Sequence, residues 1–171
     1  TIVPVEMGSG LAALGVYAMM DDIVKYMPAA ESRKVSGINL KTNEIFEANF
    51  DVLKPKSAFV FKTIVDPFIG RYSLIKVRSG VFKTDDLCYN ARTETEFKVG
   101  KLYILQGNKA SEIPELHAGD LGALAKLQGV NTGDTISTKA TPVQYAKMDI
   151  STPYTYLRYK AVNKQDIDKI A

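Results

Sequence analysis

The chain contains no tryptophan, one cysteine and one histidine among its 171 residues. The single cysteine, Cys88, excludes an internal disulfide and a metal cluster built on cysteines. The single histidine, His117, argues against a histidine-rich metal site and an internal Ser–His–Asp relay. We therefore expect no metal site and no catalytic residue, with Cys88 as a small buried hydrophobe and His117 in a structural or exposed role.

Long apolar runs and a large net charge are missing as well. No apolar run approaches the ~20 residues that a membrane-spanning helix needs, so we expect no membrane partner. A net charge of +3 does not diagnose nucleic-acid binding and leaves room only for a local basic patch. The first residues, "TIVPVEMGSG", have no initiator Met and no charged signal-peptide region, and we expect a piece of a longer protein.

Short β-type runs dominate the middle of the chain after residue 57. Gly, Pro, Asn or Asp interrupt these runs about every 8–15 residues, which is typical of small all-β domains. The pattern predicts a mainly β fold in which a small closed barrel disposes of exposed strand edges. We place this barrel at residues 31–140, and we expect its first hairpin to turn at residues 41–44.

A smaller piece precedes the barrel at residues 1–30. Residues 2–7 alternate apolar positions and predict a short strand, and "GSG" at 8–10 predicts a loop. Residues 11–27 have helical apolar spacing from Val16 onwards, and Pro28 is expected to stop the helix. The segment is thus a strand-loop-helix unit.

A second small piece follows the barrel at residues 141–171. Residues 141–150 and 152–162 are strand candidates, and the last residues begin like a helix capped by Asn163. The pattern predicts a truncated α+β piece at the end of this chain.

Several polar motifs have the chemistry of turns. "HAGD" at 117–120 and "NTGD" at 131–134 combine a glycine for positive φ with an aspartate whose side chain bonds the backbone. Asp85 and Asp86 are adjacent, and neighbours on a strand point to opposite faces, so a turn is favoured over a carboxylate pair. The "GSG" loop could present N–H groups to a polar ligand, but three residues favour a plain turn.

Basic residues are spread along the β region, and several stand next to aromatic residues. Basic side chains beside rings on a barrel can bind RNA. The same arrangement is common on inert barrels, and the pattern alone favours a solvated surface. The residues concerned are Lys62, Arg71, Lys76, Arg78, Lys83, Lys98, Lys101 and Lys109.

The order of the turns resembles translation elongation factor G. "SAFVFKTIVDPFIGRYSLIKVRSGVFKTDDLCYN" and "GNKASEIPELHAGDLGALAKLQGVNTGDTI" are similar to the second domain of that family, which reads approximately A-x-x-F-K-x-x-x-D-P-F-x-G, then S-G, N-K, A-G-D and T-G-D-T. The matching residues are Ala58, Phe61, Lys62, Asp66, Pro67, Phe68, Gly70, Val77, Ser79, Gly80, Asn108, Lys109, Ala118, Gly119, Asp120, Thr132, Gly133, Asp134 and Thr135.

The flanks resemble the same family. Residues 1–30 look like the end of its GTPase domain, whose guanine-contacting loop usually reads G-S-A; here Ser9 matches the serine and Gly10 replaces the alanine. Residues 141–171 are placed like the start of its third domain. The stretch "INLKTNEIFEANF" is similar to an insertion of the elongation-factor-G-like paralogues. Tetracycline-resistance ribosomal protection proteins are close relatives and stay open as an alternative.

The resemblance implies a cytoplasmic parent that binds GTP and Mg²⁺ and hydrolyses GTP. The phosphate loop, the switch sequences and N-K-x-D are not in this chain, so we expect it to have no enzymatic activity and no bound cofactor. Ser9 and Gly10 are expected to be an incomplete remnant of the guanine loop. An independent enzyme built on the barrel stays open as an alternative, although the sequence shows no site for it.

The resemblance also implies a role in tRNA and mRNA translocation during protein synthesis. The barrel would be a ribosome-docking and interdomain relay module, with the small ribosomal subunit, its rRNA and the other domains of the parent as partners. The rRNA-binding candidates are Lys62, Arg71, Lys76, Arg78 and Lys83, of which Lys76 and Arg78 replace residues usual in the family. A purely structural spacer is the alternative, with Lys76 and Arg78 paired to carboxylates.

Overall fold

The computed structural model describes residues 3–29, 32–66, 70–107, 109–149, 151–158 and 160–162. The chain divides into two compact units, Thr1–Arg33 and Lys34–Ala171. The described part of the first unit holds one helix, and that of the second is built from strands. The prediction of a mainly β chain is confirmed.

The first unit contains helix α1, Val16–Tyr26. The helix begins at Val16, where the helical apolar spacing begins, and residues 9–14 before it form a tight loop in which Ser9 and Leu14 exchange two backbone hydrogen bonds of 3.0 Å. The described residues 3–8 form no strand, so the predicted strand at 2–7 is wrong there. Val3, Val5 and Met7 are exposed, and no strand of the described part of the chain pairs with them.

The described part of the second unit contains thirteen strands. Most have three to five residues, and the two long ones are consecutive. The strands are β1 (Ser36–Asn39), β2 (Ile45–Glu47), β3 (Ser57–Asp66), β4 (Gly70–Ser79), β5 (Val81–Lys83), β6 (Leu87–Asn90), β7 (Thr95–Lys98), β8 (Leu102–Gln106), β9 (Lys109–Ile113), β10 (Glu115–His117), β11 (Leu121–Ala125), β12 (Thr135–Ser137) and β13 (Val143–Gln144).

These strands pair in three antiparallel sheets. The largest has the order β7-β6-β12-β3-β4-β11-β8-β9, and the smaller ones have the orders β13-β1-β2 and β10-β5. Among the described strands, β7 and β9 are the two ends of the large sheet. The pairing therefore does not show a closed barrel, which stays a prediction.

The long β3–β4 hairpin is the centre of the large sheet. Its register runs from Ser57 opposite Ser79 to Asp66 opposite Gly70, with shifts at Ser57/Ala58 and at Val60/Lys62. Gly70 has φ +93, which favours glycine. Pro67 and Phe68, which match the family's D-P-F motif, lie outside the described residues.

Two apolar clusters lie on opposite faces of β3. Ala58 and Val60 belong to the main core, and Phe59 and Phe61 pack in a smaller cluster under the three-stranded sheet. This alternation follows from the two-residue period of a strand. The buried members of the main core are Ala58, Val60, Ile75, Val77, Phe82, Cys88, Val99, Leu102, Leu116, Leu124, Leu127, Val130 and Ile136.

The flanks of the β region agree only partly with the predictions. The turn at residues 41–44 is confirmed, with the Asn43 N–H donating to Asn39 O at 2.8 Å. The strand candidate at 141–150 is reduced to β13, and the described residues of 152–162 form no strand. The predicted helix at Asn163 lies outside the described residues. Within the described residues, no helix has the length and apolar character that a membrane crossing requires.

Three four-residue turns are closed by the same hydrogen bond. The side chains of Asp86, Asp120 and Asp134 each accept the backbone N–H three residues earlier, at 2.8 Å in all three turns. Gly119 and Gly133 precede two of these aspartates with φ of +101 and +92. The turn chemistry predicted for "HAGD", "NTGD" and the Asp85–Asp86 pair is confirmed.

Asp85 takes the third position of its turn, where the other two turns have glycine, and its φ is +67. We expect Asp85→Gly to raise the free energy of unfolding by about 0.5 kcal/mol, because relief of the left-handed strain exceeds the added chain entropy of glycine. Loss of the exposed Lys98–Asp85 ion pair costs little. Urea denaturation measures the difference. Asp85→Asn is the control, since it removes the charge and keeps the side chain; an equal gain in both variants would contradict the strain argument.

Candidate nucleic-acid interface

Three of the five candidate cations share one face of the β3–β4 hairpin. Ile75 and Val77 point into the main core, so the side chain of Lys76 between them points to the opposite face. Arg78 approaches the same Phe50 ring as Lys76 and is therefore grouped with it. Lys62 is paired with Leu74, which also lies on that face. We call the surface around Lys62, Leu74, Lys76 and Arg78 the outer face; it lies on the side of the hairpin where Phe59, opposite Lys76, belongs to the smaller apolar cluster.

The side chain of Lys62 is exposed on the outer face and forms no hydrogen bond or ion pair with the other described side chains, while its backbone belongs to the β3–β4 ladder. Its position depends on the register shift between Val60 and Lys62, where Phe61 is the extra residue of β3. A regular strand would place Lys62 on the same face as Ala58 and Val60. The bulge thus turns a lysine away from the main core and towards solvent.

Lys76 and Arg78 are held against the protein. Lys76 Nζ donates a hydrogen bond to the Gly119 carbonyl and lies 5.6 Å from the centre of the Phe50 ring. Arg78 Cζ lies 5.7 Å from the same ring centre. These distances are in the cation–π range. Lys76 therefore contacts a carbonyl and a ring among the described residues, rather than the carboxylate that the spacer hypothesis predicts.

Arg71 has an internal role near the start of β4. Its Nη2 donates to the Val130 carbonyl at 2.9 Å and to Asn131 Oδ1 at 3.1 Å. Its own carbonyl accepts the Lys126 N–H at 2.9 Å. The guanidinium thus anchors the loop that follows β11.

Lys83 lies apart from the outer face, in the two-stranded sheet of β5 and β10. Its Nζ is 3.5 Å from the carboxylate of Glu115, on the paired strand. Lys62, Lys76 and Arg78 are therefore grouped by the hairpin, whereas Arg71 and Lys83 are not.

Phe50 is the residue of this site that the sequence reasoning missed. It lies in a polar, turn-rich stretch interpreted as a linker and a hairpin, yet it is 8% exposed. The only signal was an isolated aromatic residue between Asn49 and Asp51.

A second aromatic contact lies further along the sheet, where Tyr72 and Tyr103 meet edge to face with ring centres 5.4 Å apart.

Comparison with known proteins decides the family. The profile described as elongation factor G domain 2 matches residues 55–139. Elongation factor G of Karelsulcia muelleri is 31% identical over 171 residues, which are 99% of this chain and 25% of that protein. The chain contains an elongation factor G domain 2. It spans about a quarter of the length of the relative it matches.

A solved structure agrees with the fold of this elongation factor G domain. A crystal structure of a Thermus thermophilus protein matches with a TM-score of 0.59 and 23% identity, over 85% of this chain and 20% of that one. At this identity the likeness supports the fold alone.

The guanine-loop candidates, Ser9 and Gly10, line a cavity of about 250 Å³ in the first unit. The Ser9 N–H donates to Leu14 O at 3.0 Å, and Ser9 Oγ accepts the Ala12 N–H at 3.3 Å. Gly10 N–H bonds none of the described residues, and the space around its Cβ position is open. The Ser9 amide is therefore used within the loop, and Gly10 is exposed.

Cys88 and His117 have the environments expected from the sequence. Cys88 is 1% exposed in the main core, and burial raises the pKa of its thiol to about 12. His117 is half exposed, with Nε2 at 3.4 Å from Glu115 and Nδ1 at 3.8 Å from Asp120. Among the described residues, no group of three or more His, Cys, Asp or Glu side chains is arranged to hold a metal.

Proposed function

We propose that this chain is the domain 2 region of a ribosome-binding translational GTPase that promotes tRNA and mRNA translocation. In this proposal the domain docks on rRNA of the small ribosomal subunit and relays the nucleotide state of the parent to its other domains. The observation that carries the proposal is the match of residues 55–139 to elongation factor G domain 2, together with the cations of the outer face.

The chemistry of the outer face is suited to phosphate groups. Lys62 is exposed on it, and Lys76, which is half-buried, uses one of its three Nζ donors on the Gly119 carbonyl. Contacts of lysine and arginine with phosphates are sequence-independent and weaken with salt. The outer face therefore supports adhesion to folded RNA rather than reading of bases.

The parent in this proposal is a cytoplasmic GTPase. Residues 1–30 are the end of its GTPase domain, residues 31–140 its closed-barrel domain 2, and residues 141–171 the start of its third domain. Bound GTP with Mg²⁺ would supply phosphoryl-transfer chemistry through groups outside this chain, and Gly10 would contribute a backbone contact to the base. A phosphate loop and N-K-x-D upstream of residue 1 in the full gene are the expected finding.

The exposed apolar face of α1 supports the proposal that other domains of the parent contact this chain. Met19, Met20 and Ile23 are each about half exposed, and Val24 is 84% exposed. No residue of the helix is buried in the described structure. An apolar surface of this kind marks a site of contact with another protein surface.

Docking on rRNA is tested by filter binding of the 171-residue chain to small-subunit RNA over a range of salt concentrations. We expect Lys62→Ala to weaken binding about threefold at low salt and to reduce the log–log salt slope by about 0.7–0.9, the share of one phosphate contact. Lys98→Ala is the matched control, because it removes the same charge on β7, where Lys98 is paired with Asp85 at 2.9 Å.

Comparison of the two variants distinguishes a specific contribution of the outer face to RNA binding from an effect of net charge. Equal losses in Lys62→Ala and Lys98→Ala would mean that net charge, and not the outer face, sets the binding. Wild-type protein that shows no salt-dependent binding would overturn RNA docking and favour the spacer.

A further inference from the structure

Phe50 connects the polar stretch before β3 with the cations of the outer face. Its ring lies within 6 Å of both Lys76 Nζ and Arg78 Cζ, and it is almost fully buried. Two like charges that share one ring are brought close together, and each is attracted by the negative face of the ring.

The backbone around Phe50 is strained and tightly bonded. Asn49 and Phe50 are consecutive residues in the left-handed region, with φ of +50 and +56. Such residues persist only where their surroundings fix them. The Asn49 side chain accepts the Val35 N–H at 3.1 Å, and the Phe50 N–H donates to the Arg78 carbonyl at 3.0 Å. The ring is therefore held at a set place beside β4.

Lys62 is a near neighbour of this arrangement. It is paired with Leu74, two residues before Lys76 on the same face, so Lys62 and Lys76 are diagonal partners with Cα atoms about 7–8 Å apart. This spacing is similar to that between successive phosphates of a nucleic-acid strand. Lys62 and Lys76 therefore lie on the same face of the hairpin, with Arg78 beside the ring that Lys76 approaches.

We propose that Phe50 is a positioning residue that holds Lys76 and Arg78 beside Lys62 as a preformed phosphate-contacting group. The inference rests on the proposed RNA docking for its biological meaning, but the positioning itself is a property of the free protein. A long side chain that is already ordered loses less entropy when it meets a phosphate. Phe50 thus strengthens RNA binding without contacting RNA.

The positioning is tested without RNA by NMR of the lysine side chains in the 171-residue chain. A nearby aromatic ring shifts the Lys76 Hε resonances upfield. We expect the shift in wild type and in Phe50→Tyr, which keeps the ring, and its loss in Phe50→Leu, which keeps apolar volume. The absence of the shift in wild type, or its persistence in Phe50→Leu, would overturn the positioning role.

The consequence for binding is tested by the same salt titration. We expect Phe50→Leu to weaken RNA binding about fivefold and to reduce the salt slope by about one phosphate contact, with Phe50→Tyr within about twofold of wild type. In a Lys76→Gln background the effect of Phe50→Leu should shrink. A folded Phe50→Leu variant with unchanged slope, or an equal effect in both backgrounds, would refute the inference.

The two proposals fail in different ways. If the NMR shift behaves as expected and wild type does not bind RNA, the positioning is supported and the docking proposal is overturned. If Lys62→Ala weakens binding and Phe50→Leu does not, docking is supported and the positioning role in binding is overturned.

Discussion

Gly80→Ala is expected to lower the free energy of unfolding by about 3 kcal/mol, from left-handed strain of about 1–2 kcal/mol and overpacking of about 1–3 kcal/mol. Gly80 has φ +68, and a Cβ there would lie 2.6 Å from Lys56 Cα and 2.7 Å from the Lys54 carbonyl. Both neighbours are backbone atoms that cannot move aside cheaply. Urea denaturation followed by circular dichroism measures the loss.

Gly129→Ala is the matched control for Gly80→Ala. Gly129 has a similar φ of +72, but nothing lies within 4 Å of its Cβ position. Only the backbone strain applies, and we expect a loss of about 1 kcal/mol. If the two variants lost the same free energy of unfolding, the close approach of Lys54 and Lys56 to Gly80 would not contribute to the cost of Gly80→Ala.

The turns at 117–120 and 131–134 show why some local structure was predictable. Sequence reasoning located these turns because each depends on a few consecutive residues: a glycine with positive φ and an aspartate that accepts a local N–H. The same locality made the turn at residues 41–44 predictable. The chemistry of such a turn involves about four consecutive residues, so the turn can be recognised from the sequence alone.

The pairing of distant segments was not predictable in the same way. Ile38 and Asn39 of β1 pair with Gln144 and Val143, more than a hundred positions later in the chain. The stretch after residue 141 was therefore assigned to a separate piece, although β13 completes a sheet with β1 and β2. No local pattern reports such a contact, because the apolar cluster beneath it is assembled from several segments.

In the candidate site as well, the residue types could be read from the sequence, whereas contacts between distant residues could not. The basic residues could be named from the sequence, but their faces depend on the bulge at Phe61, which reverses the orientation of Lys62. The internal role of Arg71 depends on Val130 and Asn131, about sixty residues away. The register of the paired strands determines which cations lie together, and the pairing of the whole sheet sets that register.

The network around Asp134 shows how a turn motif becomes a stability determinant. Asp134 is 4% exposed and accepts hydrogen bonds from Arg92 Nε at 2.7 Å, Asn90 Nδ2 at 2.8 Å and the Asn131 N–H at 2.8 Å. Burial raises the pKa of the Asp134 carboxyl, but the bonds from Arg92, Asn131 and Asn90 outweigh burial and leave this pKa below its usual range.

Asp134→Asn is therefore expected to cost about 3 kcal/mol of unfolding free energy at pH 7, because it removes the charge and leaves buried donors without an acceptor. A carboxyl with a lowered folded-state pKa stabilises the protein above its unfolded pKa of about 4, and the stabilisation is lost as the pH falls through the folded pKa. Wild type should lose stability between about pH 5 and pH 3 more steeply than Asp134→Asn.

Denaturation at pH 7 and pH 3 tests both parts of the Asp134 prediction, with Glu96→Gln as the control. Glu96 accepts a bond of 2.7 Å from the exposed Lys139, and loss of an exposed pair should cost less than about 1 kcal/mol. Equal losses in the two variants, or an Asp134→Asn variant as acid-sensitive as wild type, would contradict the prediction. Asp134 and Glu96 both form ion pairs of 2.7 Å. The difference in the unfolding free energy that the two variants lose therefore measures the contribution of burial and of several donors converging on Asp134.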